Sequence, residues 1–163
     1  MRRKDREITD KTELEALLRQ GRVCHLAMCE RSGQGSSGEE DRLYVLPVNY
    51  GYADGALYIH GAPTGRKADI LRGNPRVAFS IVLSEALKPG GNGCDWTTHY
   101  VSLCGEGRAE IIEKGEDKAL ALAKFMEHYA PGPHELPAAA IAATMVVRIA
   151  IESLSGKRNP GDA

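Results

Sequence analysis

A chain of 163 residues, 42% hydrophobic and 26% charged, has enough apolar material for one packed core. With 21 basic and 22 acidic residues its formal net charge is −1, which argues against nucleic acid as the main partner, because such domains carry a basic excess. The longest apolar run, Leu136 to Ala150, is broken by Pro137, Thr144 and Arg148, so no membrane span is expected.

Met1-Arg2-Arg3-Lys4-Asp5-Arg6 is charged, and no apolar stretch of signal-peptide length follows it. A cytoplasmic protein, folded as a single domain over 1–163, is the expectation. Asp10-Lys11-Thr12-Glu13 has the spacing of a capping box, and Leu14, Leu17 and Leu18 recur at helical spacing before Gly21. That predicts a helix from Thr12 to Gln20. Arg22 to Cys29 is short and mostly apolar and reads as a strand, with His25 expected as a packed core residue. Arg31 to Asp41 is Gly/Ser-rich and reads as a flexible loop.

Leu43 to Tyr50 is a second strand, in which Pro47 marks an edge or a bulge. Asp54-Gly55 predicts a two-residue hairpin turn, with Ala56 to His60 returning. Arg66 to Arg72 suggests a short helix, ended by Asn74-Pro75. Arg76 to Leu83 alternates as a strand.

Glu85 to Asp95 is Pro/Gly-rich and reads as a long excursion that shapes the substrate pocket. Trp96 beside it covers a cofactor, packs across an interface, or anchors the loop. His99 to Ile112 is one long strand, kinked at Gly105 and Gly107. Glu116 to Tyr129 is the clearest helix, with Ala119, Leu120, Leu122, Ala123, Phe125 and Met126 on its apolar side. His128 and His134 at its end read as surface residues. Thr144 to Glu152 alternates as the last strand, and Ser155 to Pro160 is a polar tail. With about six strands, hairpins and no βαβ alternation, the fold class is mainly β: an antiparallel barrel with peripheral helices.

Cys24, Cys29, Cys94 and Cys104 form no C-x-x-C pair, so free thiols are favoured and no metal site is expected. The stretch from Tyr44 to Leu71 is the most informative. Gly65-Arg66-Lys67 opens a helix after a Gly/Pro loop. A helix N-terminus offers unpaired N–H groups and a favourable dipole to an anion, and two basic side chains add to it. The pattern reads as a phosphate cradle or as a solvated helix start.

The order Leu-Pro-Val-Asn-Tyr, hairpin, Leu-Tyr-Ile-His-Gly-Ala, then Gly-Arg-Lys-Ala-Asp-Ile-Leu and Asn-Pro-Arg-Val-Ala-Phe resembles the pyridoxamine 5′-phosphate oxidase-like split-barrel flavoproteins. Within them it is most similar to the branch of the 5-nitroimidazole-resistance proteins. Met-Arg-Arg-Lys-Asp-Arg-Glu-Ile at the start, Tyr100-Val101-Ser102 ahead of Gly105-Glu106-Gly107-Arg108-Ala109, and Ile151 to Lys157 carry the same likeness.

The resemblance implies a six-stranded antiparallel split β-barrel and a homodimer with FMN at the subunit interface. Val48, Asn49 and Tyr50 would then run along the isoalloxazine. His60, Gly61 and Ala62 would lie near the ring and ribityl chain, and Arg66 and Lys67 would hold the phosphate. Tyr100 and Ser102 would approach the cofactor from the other subunit, and Lys157 and Arg158 would form a further anion-binding pair. His60 is the candidate catalytic residue, although a purely hydrogen-bonding or backbone role is favoured, since flavin chemistry belongs to the cofactor. His99 is a weaker substrate-side candidate.

The activity implied is an FMN-dependent oxidoreductase that reduces a small nitro-aromatic-like electrophile with electrons from NAD(P)H. No G-x-G-x-x-G pattern for a dinucleotide domain appears. The alternative is a non-catalytic flavin- or haem-binding protein, a carrier or redox sensor, with His60 or His25 as a haem ligand.

Overall fold

The computed structural model describes residues 3–31 and 40–159. The expected flexible loop falls mostly on 32–39, outside the described residues, as do 1–2 and 160–163. The elements run in the order β1 (Glu7–Ile8), α1 (Lys11–Gln20), β2 (Val23–Glu30), β3 (Arg42–Asn49), β4 (Gly51–Ala53), β5 (Ala56–Gly61), α2 (Arg66–Gly73), β6 (Arg76–Lys88), β7 (Thr97–Ile112), α3 (Gly115–Tyr129), α4 (Ala138–Ala143) and β8 (Met145–Asn159). A turn of 3-10 helix, Lys4–Arg6, precedes β1.

All described pairings are antiparallel, in the order β3-β2-β6-β7-β8-β5-β4. The split of the barrel is visible on β8. Its first half pairs with β5, from Gly61↔Met145 to Ala56↔Ala150. Its end pairs with β1, Glu7↔Lys157 and Ile8↔Gly156. The sheet is an open split barrel with peripheral helices, and β1 and β4 bring the described strands to eight rather than the six expected.

Alternation sets the interior. Cys24, Leu26 and Met28 of β2, Val77, Phe79 and Ile81 of β6, and Leu103 of β7 join Leu57, Ile59, Val147 and Ile149 in the main core. Asp10 caps α1, its Oδ1 accepting from Thr12 N at 2.8 Å, and Leu14, Leu17 and Leu18 close one side of the core. Asp54 and Gly55 both have positive φ, 50° and 70°, as the tight hairpin between β4 and β5 requires.

A second cluster lies under α3, where Ala121 and Phe125 meet Ala56, Tyr58 and Val146. Phe125, Leu122 and Met126 of the expected apolar side pack on this cluster, while Ala121 is buried and Ala123 is exposed. Leu120 is 63% exposed, because the helix packs on a narrow strip and not on a broad apolar floor.

Two expectations of loop are replaced by strand. β6 runs on through Lys88 and β7 begins at Thr97, so only the turn from 89 to 96 remains of the excursion. The register shifts between Val82 and Ser84. The polar tail through Asn159 is also strand, paired with β7 from Ser155↔Cys104 to Asn159↔Tyr100. Backbone ladder bonds hold both segments, so they need no apolar alternation and show none.

His25 is not a core residue. With Cys24 and Leu26 inside, a period of two forces His25 outward, and it is exposed.

Candidate functional site

The cradle expected at Gly65-Arg66-Lys67 forms between the end of β5 and the start of α2. Gly65 takes φ 99° and provides no side-chain cap. The first intrahelical bond runs from Asp69 N to Gly65 O, which leaves the N–H groups of the first turn without helical partners. Arg72 donates to Pro63 O at 2.7 Å and ties the loop to the helix.

Lys67 folds back over the strand end. Its Nζ donates to His60 O at 3.4 Å, and no ion pair to it is found among the described residues. Burial pushes this amine below the usual lysine range. A Cβ on Gly61 would stand 2.6 Å from Nζ, so only glycine leaves room for the ammonium. Arg66 is engaged differently. It donates to Glu30 Oε2 from Nε at 3.3 Å and from Nη2 at 3.1 Å, and its guanidinium lies 4.5 Å from the centre of the Tyr44 ring.

The His60 ring meets Phe125 edge-on, with centroids 4.7 Å apart at 84°. Burial, then the nearby Lys67 charge, push its pKa below the usual imidazole range. Gly61 is partly buried, and Ala62 follows it in the exposed loop.

The three residues at the end of β3 part company. Val48 packs against the core. Asn49 Nδ2 donates to Arg22 O and to the Tyr129 hydroxyl, both at 3.3 Å. Tyr50 is fully buried and donates to Leu18 O at 2.8 Å. Its ring therefore belongs to the core, and its side chain cannot lie along a surface-bound ligand.

His128, expected at the surface, is partly buried and bridges two elements. Its Nδ1 accepts from Tyr52 N at 3.2 Å, and its Nε2 lies 2.6 Å from Gly21 O. An acceptor on one nitrogen and a donor on the other describe the neutral Nε2–H form. His134 is exposed.

Tyr100, Ser102, Lys157 and Arg158 gather at the far end of the paired β7 and β8, where Ser102 faces Lys157 in register. Lys157 Nζ lies 5.7 Å from the Tyr100 ring centre. Lys157 first, and then Arg6, hold the phenol below its usual range. Arg6 joins this group because β1 pins the N-terminal segment to β8, a contact with no local sequence signal. Arg158 instead pairs with Glu13 of α1.

The two groups lie at different ends of β8. Gly61 pairs with Met145 and Ser102 with Lys157, and those positions are separated by about 40 Å of strand at 3.3 Å per residue.

Between them, the outer face of the sheet carries exposed apolar side chains. Val23, Val45 and Val82 are 40%, 58% and 52% exposed. His25, Cys104 and Ser80 share a groove on this face with Val45. Cys24 is buried, and burial pushes its thiol up to about 12. Trp96 is half exposed on the β6–β7 turn. Among the described residues no three His, Cys, Asp or Glu side chains converge as a metal site would need, and no helix is long and apolar enough to cross a membrane.

The family described as pyridoxamine 5′-phosphate oxidase matches residues 10–158. A candidate 5-nitroimidazole antibiotic resistance protein from Bacteroides thetaiotaomicron VPI-5482 superposes with a TM-score of 0.77 at 27% identity, over 93% of this chain and 85% of that one. A flavocytochrome from Azotobacter vinelandii gives 0.80 at 23% identity, over 99% and 72%. An FAD- and haem-binding protein from Mycobacterium smegmatis gives 0.79 at 20% identity, over 97% and 77%. Below 25% identity the likeness is one of fold. A search of curated proteins finds no match.

Proposed function

The chain belongs to the pyridoxamine 5′-phosphate oxidase family, and from that premise we propose that it is a flavoprotein, a homodimer that binds FMN at the subunit interface. It acts as an oxidoreductase on a small electrophile of the nitro-aromatic kind, with NAD(P)H as electron donor. The cradle carries this reading. A half-buried lysine without a carboxylate partner among the described residues, in space that a side chain on Gly61 would take, fits a phosphate.

FMN, when bound, supplies reversible electron transfer, and the protein positions and tunes it. Lys67, Arg66 and the first-turn N–H groups of α2 would hold its phosphate. Gly61 and Ala62 would line the ribityl chain. His60 supports the cradle through its carbonyl, with its ring kept on Phe125. The separation along β8 supports the dimer: Tyr100, Ser102 and Lys157 would reach a cofactor held at Lys67 from a second copy. The exposed apolar face of the sheet is the surface such a copy would cover.

The test is an absorption spectrum after FMN addition and desalting, followed by NAD(P)H oxidation with a series of nitro-aromatic acceptors. Retained flavin bands and turnover are expected. A colourless protein overturns the flavin reading. Tight FMN without turnover on any acceptor points to a carrier, and a Soret band to haem.

A further inference from the structure

The cradle contains a carboxylate that a phosphate ligand does not call for. Glu30 closes β2 and takes two hydrogen bonds from Arg66 on a single oxygen, at 3.1 and 3.3 Å. Glu30 and Arg66 side chains are 43% and 48% exposed, so the pair adds little to stability. The Tyr44 ring, its centre 4.5 Å from the guanidinium carbon, already supports Arg66, and Tyr44 itself packs against the core. The orientation that Glu30 adds is therefore largely redundant. What it adds uniquely is charge: Arg66 is half of the cradle's positive charge, and Glu30 cancels it, whereas Lys67 has no such partner among the described residues.

We propose that Glu30 is a specificity-determining residue of the cradle, which by neutralising Arg66 weakens the hold on a dianionic phosphate monoester relative to the same flavin without its phosphate. The inference rests on the reading of this cradle as the flavin-phosphate site. A carboxylate near the ligand competes with it for the guanidinium and repels its charge. A carboxylate that only oriented Arg66 would have the opposite effect and would strengthen binding. The sign of the change on removing the charge separates the two.

Glu30→Gln keeps an oxygen to accept from Arg66 and removes the charge. The full-length protein and the variant are titrated with FMN and with riboflavin, read by flavin fluorescence. The FMN dissociation constant is expected to fall about tenfold and the riboflavin constant to stay within about twofold, with the FMN gain shrinking as salt is added. Unchanged or weaker FMN binding in the variant overturns the proposal. Equal tightening of both flavins also overturns it, because the effect is then not at the phosphate. Binding of neither flavin by either protein overturns the flavin reading itself, and the role of Glu30 with it.

Discussion

Gly61 and Lys67 share one space, since a Cβ on Gly61 would stand 2.6 Å from Lys67 Nζ. The flexible lysine gives way more readily than the strand. Gly61→Ala is thus expected to displace the ammonium and leave the barrel intact. FMN affinity should fall about tenfold, with riboflavin affinity much less affected, in a fluorescence titration. Equal losses for both flavins would place the damage at the ring and not at the phosphate.

Lys67→Met is expected to change the order of two melting temperatures. Burial lowers the folded-state pKa of Lys67 below its unfolded value. Such an amine costs stability at all pH values below its folded pKa, and the cost is relieved only as pH rises toward the unfolded value. Without flavin at pH 7 the variant should therefore melt at or above the parent. With saturating FMN the parent should melt higher, because ligand binding stabilises only the protein that binds it. Thermal unfolding with and without FMN checks both.

The alkaline limit of stability should trace to two buried acids. Burial raises the Cys24 thiol to about 12 and raises the Tyr50 phenol as well. For a group raised on folding, the stabilisation is complete below its unfolded pKa and is lost as pH rises through the folded value. The unfolded thiol is half ionised at 9.0. Stability should be level from pH 7 to about 8 and fall beyond it. Tyr50→Phe should flatten that fall, at a cost of about 1 kcal/mol at neutral pH for the lost bond to Leu18 O. Denaturant unfolding across the pH series measures both.

Val45 tests the dimer. It is 58% exposed on β3, an edge strand in the sheet order, and faces outward with Val23 and Val82. Val45→Glu buries a charge if that face is covered by a second copy, and should convert the proposed dimer to the 17.6 kDa monomer. FMN retention after desalting should fall with it, because the second group of site residues is then lost. Sedimentation velocity reads the mass. A parent protein that is already monomeric would refute the interface.

Much of the local structure was legible in advance. Asp10 caps α1, Asp54-Gly55 turns the hairpin, and Gly65-Arg66-Lys67 opens α2. On α3, Leu122, Phe125 and Met126 mark the packed side, but Leu120 is exposed, because Ala and Leu occur all round the helix and composition selects no single side. His25 was misplaced because an apolar run gives no phase, and only pairing with β3 and β6 decides which alternate residues turn inward. The strand ends at Lys88 and Asn159 were missed because a ladder of backbone bonds leaves no mark on side-chain pattern.

Neighbouring residues settle among themselves the caps, the tight turns, the alternation along a strand and the basic pair at a helix start. These depend on backbone preferences and short-range hydrogen bonds, which act over a few residues. The tertiary structure alone decided what each of those groups meets. It brought Glu30 to Arg66 across 36 residues and His128 to Gly21 across 107. It turned Tyr50 into the core, and it placed Lys67 and Tyr100 toward opposite ends of β8. Such contacts follow from how the sheet closes and where the helices lie on it, and that geometry is set by the burial of the whole core and not by any one segment.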